Sequence, residues 1–509
     1  MGRSALYLRK EGMRMAINLN VSAVGTREER LGSVVGYVGD IKDLARQSRC
    51  GTLKDQERCF SQSSTCDNGC AVHYLAHIRD VAVIIHAPSG CAALASASVT
   101  MHTQLADKRG LEYHSVILGT DMNESDTVFG AVDGLRDIVV QTYERYKPSA
   151  VFVATSCVSG IIGEDVDSVV EELDRELPVP VVAMHCEGFK SKVWATGFDA
   201  ADHAILRGIV KPPREKRNVI NFKNFNELAR REITEMFANF GVTPFFLYSN
   251  TTVEELSHIS EALATVSICG TLSSYLGNAL EQEYGVPYIK TINPLGVAGF
   301  EIWLREIGRV IGKENEVEAY IQEQRQIYLP QLEEVKKKLK GLRVVLGMGS
   351  SFAFQVARVI QELDMEVAYI ASWHYDSRYD DGEAPPHVQY LAEHTPDNFK
   401  VSVADQQNFE ILNILNTYKP DLYLARHGGT TVWAIKQGTP SIFMADEYMT
   451  YGYKGTLDFA YKILAAITNR SFEKNLSSRI ELPYTSWWYE QDSSLLYKKE
   501  EVEANAQDT

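Results

Sequence analysis

Short runs of consecutive apolar residues recur along the chain, and stretches with the spacing of a helix lie between them. The runs predict strands over Val81–Ile85, Ala150–Thr155, Val179–Met184, Val242–Tyr248, Val266–Ile268, Val286–Ile289, Leu342–Gly347, Val367–Ile370, Val401–Val403, Leu422–Ala425 and Ser441–Met444. Helices are predicted over Asp165–Leu173, Val253–Leu263, Leu272–Tyr284, Glu314–Leu339 and a stretch that ends near Leu363. Strands that alternate with helices form parallel sheets with helices on both faces, because crossover connections permit little else. The pattern therefore predicts an α/β fold of three doubly wound, Rossmann-like domains.

The length of the chain and a stretch of prolines and charged residues support three domains. A chain of 509 residues is consistent with three domains at roughly 150 residues each, and prolines combine with charge near 211–217. We predict α/β domains over 79–215, 216–335 and 336–470. An N-terminal extension with a cysteine-bearing loop (1–78) precedes them, and a C-terminal tail (471–509) follows.

Composition narrows the class of partner. A net charge of −16 opposes binding to a polyanion, so we expect no nucleic-acid partner. No apolar stretch reaches the roughly 18 to 20 residues of a membrane span, and the N-terminus lacks a signal-peptide core. We therefore expect a cytoplasmic protein with no membrane partner.

Nucleotide-binding signals are weak. Gly347-Met-Gly349 lacks the third glycine of a dinucleotide fingerprint, so a tight turn is the better interpretation. The chain contains no Gly-x-x-x-x-Gly-Lys-Ser/Thr motif. Any ATP hydrolysis that the reaction needs must come from another chain.

Four of the eight cysteines, Cys66, Cys91, Cys157 and Cys269, lie where a predicted strand or loop ends. Ligands of parallel sheets bind beyond the carboxyl ends of strands, and thiolates are soft metal ligands, so the placement predicts metal ligation. For a single cysteine, burial as a small apolar residue is the commoner role, and we assign it to Cys50, Cys59, Cys70 and Cys186. A disulfide framework belongs to small secreted domains rather than to a chain of this size.

Longer motifs around these cysteines resemble those of the nitrogenase superfamily, component 1, in its D-type (alpha) subunit. The resemblance rests on His86-Ala-Pro-Ser-Gly-Cys91, Asn123-Glu-Ser-Asp-Thr-Val-Phe-Gly130, Cys157-Val-Ser-Gly-Ile-Ile-Gly-Glu-Asp165, Cys186-Glu-Gly-Phe189 and Ile268-Cys269-Gly. Ala87 stands where the first motif of the family has glycine. The similarity runs through most of the chain, and the motifs are specific in combination.

The resemblance implies two iron-sulfur sites. Cys66, Cys91 and Cys157 match the ligands of an electron-relay cluster of the P-cluster type, [8Fe-7S], which is shared with a partner subunit. Cys59 is the alternative first ligand. Cys269 matches the cysteine that binds one end of the active-site cofactor, and partner-type subunits lack that cysteine.

The resemblance also implies partners. These are a K-type (beta) subunit, in an α2β2 heterotetramer, and a homodimeric iron protein that hydrolyses ATP and supplies electrons. The cofactor's second ligand is open, since Ala445 occupies the position where nitrogenases have histidine. His427 and His374 are the alternatives.

Two substitutions separate this chain from nitrogenases. Trp194 and Phe198 occupy the positions of a glutamine beside the cofactor and of a histidine that delivers protons. Neither side chain relays a proton at neutral pH, so we expect them to form an apolar wall for a small-molecule substrate. Ordinary core packing is an equally good interpretation of both aromatics.

Among D-type proteins with such altered walls, the chain is most similar to the catalytic subunit of methylthio-alkane reductase. That resemblance implies cleavage of a C–S bond in substrates such as dimethyl sulfide, with an iron-only, [Fe8S9C]-like cofactor. Two alternatives stay open: a nitrogenase alpha subunit with another metal, and a non-catalytic scaffold on which the nitrogenase cofactor matures.

Overall fold

The computed structural model describes residues 17–56, 66–93, 95–225, 227–380, 382–395, 398–404, 408–426, 428–444 and 451–492. Contacts group the chain into two compact units. Unit 1 takes in the described parts of 1–30, 65–225 and 241–288, and unit 2 takes in those of 31–64, 226–240 and 289–509.

Unit 1 contains two parallel sheets. Its four-stranded sheet has the order β4-β3-β5-β6, and its three-stranded sheet has the order β8-β7-β9. The strands are β3 (Val81–Ile85), β4 (Val116–Gly119), β5 (Ala150–Ala154), β6 (Val181–Met184), β7 (Val219–Lys223), β8 (Thr243–Leu247) and β9 (Ala264–Ser267).

Unit 2 contains a six-stranded sheet in the order β15-β14-β10-β11-β13-β2. Its strands are parallel except for β2, which pairs antiparallel with β13 at the edge. A two-stranded antiparallel ribbon joins β1 to β12. The strands are β1 (Ser33–Val34), β2 (Tyr37–Asp40), β10 (Arg343–Met348), β11 (Glu366–Ser372), β12 (Tyr375–Asp376), β13 (Lys400–Val403), β14 (Leu422–Ala425) and β15 (Ser441–Phe443).

Helices connect the strands. The helices of unit 1 are α1 (Arg27–Leu31, which ends at the first residue of unit 2), α3 (Asp67–Leu75), α4 (Ser89–Ala93), α5 (Ser96–Lys108), α6 (Glu124–Phe129), α7 (Val132–Tyr146), α8 (Cys157–Ile162), α9 (Val166–Glu176), α10 (Thr196–Gly208), α12 (Val253–Ser257) and α13 (Gly270–Tyr284). Those of unit 2 are α2 (Ile41–Cys50), α11 (Glu227–Ala238), α14 (Gly296–Ile311), α15 (Glu314–Leu339), α16 (Ser350–Glu362), α17 (Pro386–His394), α18 (Asn408–Tyr418), α19 (Gly428–Lys436), α20 (Gly452–Thr468), α21 (Ser471–Ser477) and α22 (Ser486–Glu490).

Burial of both sheet faces explains the unbroken apolar strands. Every residue of β3 and β5 is buried, as expected of parallel strands covered on both sides. Helix α9 presents Val166, Val170 and Leu173 to this core, at the spacing of one helix face. The helix begins where the Asp165 carboxylate accepts a hydrogen bond from the backbone N–H of Ser168.

The fold class is confirmed: the chain is α/β with parallel sheets. The predicted strand at Val286–Ile289 is wrong, because this stretch makes a single bridge, between Tyr288 and Thr265, in place of a strand. Gly347 lies within β10 rather than in a turn, and a Cβ there would overlap the phenol ring of Tyr423. The larger sheets fall within 79–215, 216–335 and mainly 336–470, but the two units do not follow those limits, so the domain boundaries stay a prediction.

Candidate metal-cluster sites

Cys66, Cys91 and Cys157 lie together in unit 1, each near the start of a helix. Cys66 caps α3, where its Sγ accepts a hydrogen bond from the backbone N–H of Gly69 at 3.5 Å. Cys157 is the first residue of α8, directly after β5, and Cys91 lies in α4, after β3. All three thiols therefore lie at, or within the first turn of, a helix that begins at one edge of unit 1.

The three thiols also interact electrostatically. Burial, and then the neighbouring Cys66 and Cys157, raise the pKa of Cys91. All three side chains are exposed. Three exposed sulfurs in one electrostatic neighbourhood are a donor set that fits an iron-sulfur cluster.

Gly188 provides the space for this approach. A Cβ at this position would lie 3.1 Å from the Cβ of Cys66 and 3.6 Å from the Sγ of Cys157. The glycine of the Cys186-Glu-Gly-Phe motif is therefore explained by packing beneath the thiols. Cys186 itself is buried, and its Sγ lies 3.4 Å from the carbonyl oxygen of Thr155.

An apolar surface surrounds the thiols. Ile161 on α8 and the nearby Phe189 are 74% and 54% exposed, and a Cβ on Gly160, beside Ile161, would lie 3.3 Å from the Phe189 ring. Helix α6 packs against α8 and leaves Val128 and Phe129 73% and 86% exposed. Soluble monomers rarely expose adjoining side chains of this size, so the surface has the character of an interface.

Cys269 occupies a buried position at the start of α13, two residues beyond the end of β9. Its backbone N–H donates to the hydroxyl of Ser267 at 2.9 Å, and that hydroxyl bonds in turn to Ser273. The Ser273 hydroxyl donates to the side-chain oxygen of Asn224 at 2.6 Å. This chain of hydrogen bonds fixes the backbone that carries the Cys269 thiol.

A buried ion pair lies in the electrostatic neighbourhood of Cys269. The ammonium of Lys223, the last residue of β7, bonds to the carboxylate of Asp202, and both side chains are 0% exposed. Burial lowers the pKa of Lys223, whereas Asp202 and the Cys269 thiol act to raise it. Burial raises the pKa of Asp202 to about 6, and the ammonium of Lys223 opposes this rise by stabilising the carboxylate. A buried cation beside a thiol suits an anionic cluster at Cys269.

Trp194 and Phe198 join the same region through ring contacts. Phe198 stands edge-on to Trp194 at 5.9 Å and to Tyr74 at 5.2 Å between ring centroids. Tyr74 also packs at 4.6 Å from Tyr248, whose hydroxyl donates to Asp202 at 3.1 Å. Because Tyr74 interacts electrostatically with Cys269, it links the predicted aromatic wall to the predicted cofactor cysteine.

The first turn of α10 holds Phe198 in place. Asp199, the next residue, accepts hydrogen bonds from the guanidinium groups of Arg27 and Arg30 in an ion-pair cluster excluded from solvent. Gly197 lets this turn approach the backbone of Asp67 on α3, where any larger residue would overlap the peptide oxygen. The ion pairs of Asp199 and the close packing at Gly197 therefore fix the backbone that carries Phe198.

The remaining predicted ligands stay predictions. His374 is buried in unit 2, two residues beyond β11, where its carbonyl oxygen accepts from the hydroxyl of Ser372 at 2.8 Å. His427, Ala445 and Cys59 lie outside the described residues.

The model of the nitrogenase component 1 type oxidoreductases matches residues 66–468, which is most of the chain. The chain belongs to this family. Component 1 proteins of the family bind iron-sulfur clusters and assemble as heterotetramers with a beta subunit.

Relatives of this component 1 chain fall into two groups. It is 25% identical over 467 residues to the nitrogenase molybdenum-iron protein alpha chain of Methanococcus maripaludis, with 85% of this chain and 95% of that one covered. It is 26% identical over 460 residues to the nitrogenase iron-molybdenum cofactor biosynthesis protein NifE of the same species, with 88% and 90% covered. The solved structure of nitrogenase Cp1 at pH 5 superposes with a TM-score of 0.66 at 20% identity, over 87% of this chain and 100% of that one.

Sequence reasoning missed the polar residues behind this component 1 site. Lys223 and Asp202 gave no motif, because the partners lie on a strand and a helix 21 residues apart and pair only in the fold. Tyr74 carried no signal either.

In the part of the chain that the structure describes, no helix is long and apolar enough to cross a membrane.

Proposed function

We propose that this chain is the catalytic subunit of a nitrogenase-like reductase that cleaves the C–S bond of methylthio-alkanes. The observation that carries the proposal is the contact of Phe198 with Tyr74, which extends an aromatic wall into the neighbourhood of Cys269. A thioether such as dimethyl sulfide is small and largely apolar, and such a wall suits it.

Reduction of a thioether fits a site with few proton carriers. Conversion of R–S–CH3 to R–H and CH3SH consumes two electrons and two protons, far fewer protons than the reduction of dinitrogen. Trp194 and Phe198 carry no group that titrates near neutrality. They would exclude water and orient the methyl and sulfur groups, while Lys223 stays paired with Asp202.

Cys269 would hold one end of an iron-sulfur cofactor, which we propose to be iron-only. When bound, that cofactor supplies the reducing electrons. The Cys269 thiolate would anchor the cofactor, and the Lys223 ammonium would offset part of its negative charge.

Cys66, Cys91 and Cys157 would hold half of a relay cluster whose other ligands come from a beta subunit. The exposed apolar surface around Cys157, formed by Val128, Phe129, Ile161 and Phe189, would be covered in that assembly. An ATP-hydrolysing iron protein would then supply electrons to the pair of subunits.

Anaerobic turnover of the purified complex tests the proposal. Dimethyl sulfide and dinitrogen are offered separately, with the iron protein, ATP and a strong reductant, while metals are quantified. We expect methane and methanethiol without ammonia, and loss of both products in Cys269→Ser. The matched control is Cys50→Ser, an exposed cysteine at the end of α2 in unit 2, which should keep wild-type activity. Ammonia as the main product would contradict the proposal.

A second function is favoured by one specific observation. The chain is as similar to NifE proteins, at 25–26% identity, as it is to nitrogenase alpha chains, at 24–26%. A maturation scaffold would carry iron, release its cluster to an acceptor protein and show no turnover of either substrate. Product formation from dimethyl sulfide would exclude this role.

A further inference from the structure

Three histidines of unit 1 converge at a place that the proposed chemistry does not use. They are His73 in α3, His77 just beyond the end of α3, and His102 in α5. One ring nitrogen from each lies within 4.8 Å of the corresponding nitrogens of the other two. The rings of His77 and His102 stand 3.9 Å apart, between centroids, at 48°.

Two of the three histidines use one ring nitrogen in a hydrogen bond to another part of the protein. The Nδ1 atom of His73 lies 2.7 Å from the hydroxyl of Ser98, which would leave Nε2 as its ligand atom. His77 donates a ring N–H to the backbone carbonyl of Tyr248. Histidines that bind metals commonly use their other nitrogen in this way, because the bond fixes the tautomer and the orientation of the ring.

His102 supplies the independent indication of a ligand. Its side chain is 1% exposed, and its buried Nε2 atom has no hydrogen-bond partner among the described residues. A polar atom buried without a partner is costly, because it has given up its hydrogen bonds to water. The described residues therefore leave a buried imidazole nitrogen available to a ligand.

The donor atoms of the cluster, three imidazole nitrogens, favour a cation as that ligand. Burial, followed by His102 and His73, lowers the pKa of His77 well below its usual value. Burial and His73 lower the pKa of His102 to about 4. Neutral imidazoles present lone pairs rather than positive charge, so they attract cations.

We propose that His73, His77 and His102 form a binding site for a divalent transition-metal ion, with Zn²⁺ as the fitting species. Zinc takes imidazole nitrogens at about 2.0–2.1 Å in a tetrahedral arrangement, which places the nitrogens roughly 3.4 Å apart. Small side-chain rotations from the observed separations reach that geometry. Three protein ligands leave the fourth position to water.

The ion would tie together two segments that carry proposed relay ligands. Cys66 caps α3, which holds His73, and α5, which holds His102, begins five residues after Cys91. A bound ion would therefore restrain the Cys66 and Cys91 backbones relative to each other. The inference does not depend on the substrate of the enzyme.

Zinc binding to the complete complex tests the site directly. The purified complex is stripped with a chelator, equilibrated with ZnCl2, desalted and assayed for zinc by mass spectrometry. We expect one zinc ion per copy of this chain, and at least a tenfold weaker retention in His77→Asn and in His102→Asn. The matched control is His114→Asn, an exposed histidine of the same unit that pairs with Glu112.

X-ray absorption at the zinc edge identifies the ligands, because iron-sulfur clusters do not contribute at that energy. Three imidazole nitrogens at about 2.0 Å are expected, whereas sulfur at about 2.3 Å would place the ion on cysteines and overturn the proposal. Failure of the wild-type complex to retain zinc, or equal retention in the histidine variants, would also overturn it. Unchanged iron content and circular dichroism of the variants establish that they fold.

Discussion

Lys223 and Asp202 form an ion pair that is closed off from solvent, with both side chains 0% exposed. The ammonium lies over the rings of Tyr74 and Tyr248, at 5.2 and 5.3 Å from their centroids, and within electrostatic reach of Cys269. The pair therefore places a buried ammonium, with its counterion bound to it, in the region that we assign to the cofactor.

Asp202→Asn should destabilise the protein strongly. It leaves a buried ammonium without its counterion, and breaking a buried pair in this way costs about 3–5 kcal/mol. Chemical denaturation followed by circular dichroism measures the loss. The double variant Lys223→Met/Asp202→Asn should recover much of it, because no charge is then left unpaired. Equal stability of the single and double variants would contradict this account.

Gly188→Ala should weaken the relay site. The added methyl group would lie 3.1 Å from the Cβ of Cys66, closer than ordinary packing allows, so the thiols must separate. We expect a lower iron content in the purified complex. Gly134→Ala is the control, since no atom lies within 4 Å of that position on α7 and alanine favours the helix by roughly 0.5–1 kcal/mol. Full iron occupancy in Gly188→Ala would refute the packing argument.

Phe198→His should open a route for protons. An imidazole titrates near neutrality, and a positioned proton carrier accelerates proton transfer by about 100-fold or more. We expect at least a tenfold rise in hydrogen evolved per methane formed, measured by gas chromatography. Phe198→Leu keeps an apolar wall and should leave that ratio unchanged. A rise in both variants would indicate a loss of packing against Tyr74 rather than proton delivery.

Stability should depend on His185 in a pH-dependent manner. Burial lowers the pKa of His185, but hydrogen bonds to Asp167 and Glu187 outweigh burial and raise the pKa to about 9. A raised pKa stabilises the fold fully below the unfolded value of about 6.5, and this stabilisation is lost as pH rises through about 9.

His185→Gln should accordingly cost on the order of 2–3 kcal/mol at pH 6 and much less at pH 9.5. Melting temperatures of the two proteins across this range give the difference. His114→Gln, at a side chain that is 65% exposed, should give a small difference at every pH. A cost for His185→Gln that grows with pH would reverse the assignment.

Strands made of apolar residues alone were the most predictable from the sequence, whereas one strand interrupted by two buried polar residues was missed. Strands β3 and β14 match their predicted bounds, because every residue in them is apolar and buried. Strand β7 was missed since Asn221 and Lys223 interrupt its apolar run, although both are buried in the fold. Strand β2 was missed because its partner β13 lies far away in sequence.

The cysteine ligands were predictable because each lies where a predicted strand or loop ends. The family motifs surround them. The histidine cluster was not predicted. His73 and His77 have the spacing of one helix face, which was a usable signal, but His102 joins them only through the packing of α5. Chemistry assembled from separate segments leaves no local pattern to recognise.

The antiparallel edge strand β2 has a consequence for synthesis on the ribosome. Asp40 pairs with Lys400, so the strand leaves the ribosome about 360 residues before its partner exists. At roughly 5–20 residues per second, that interval lasts on the order of 20 to 70 s. Throughout it, Tyr37 and Val38 have no sheet to join, and an unpaired strand is a template for aggregation. Strand β2 must therefore stay unpaired, and out of contact with other chains, until the residues of β13 have been synthesised.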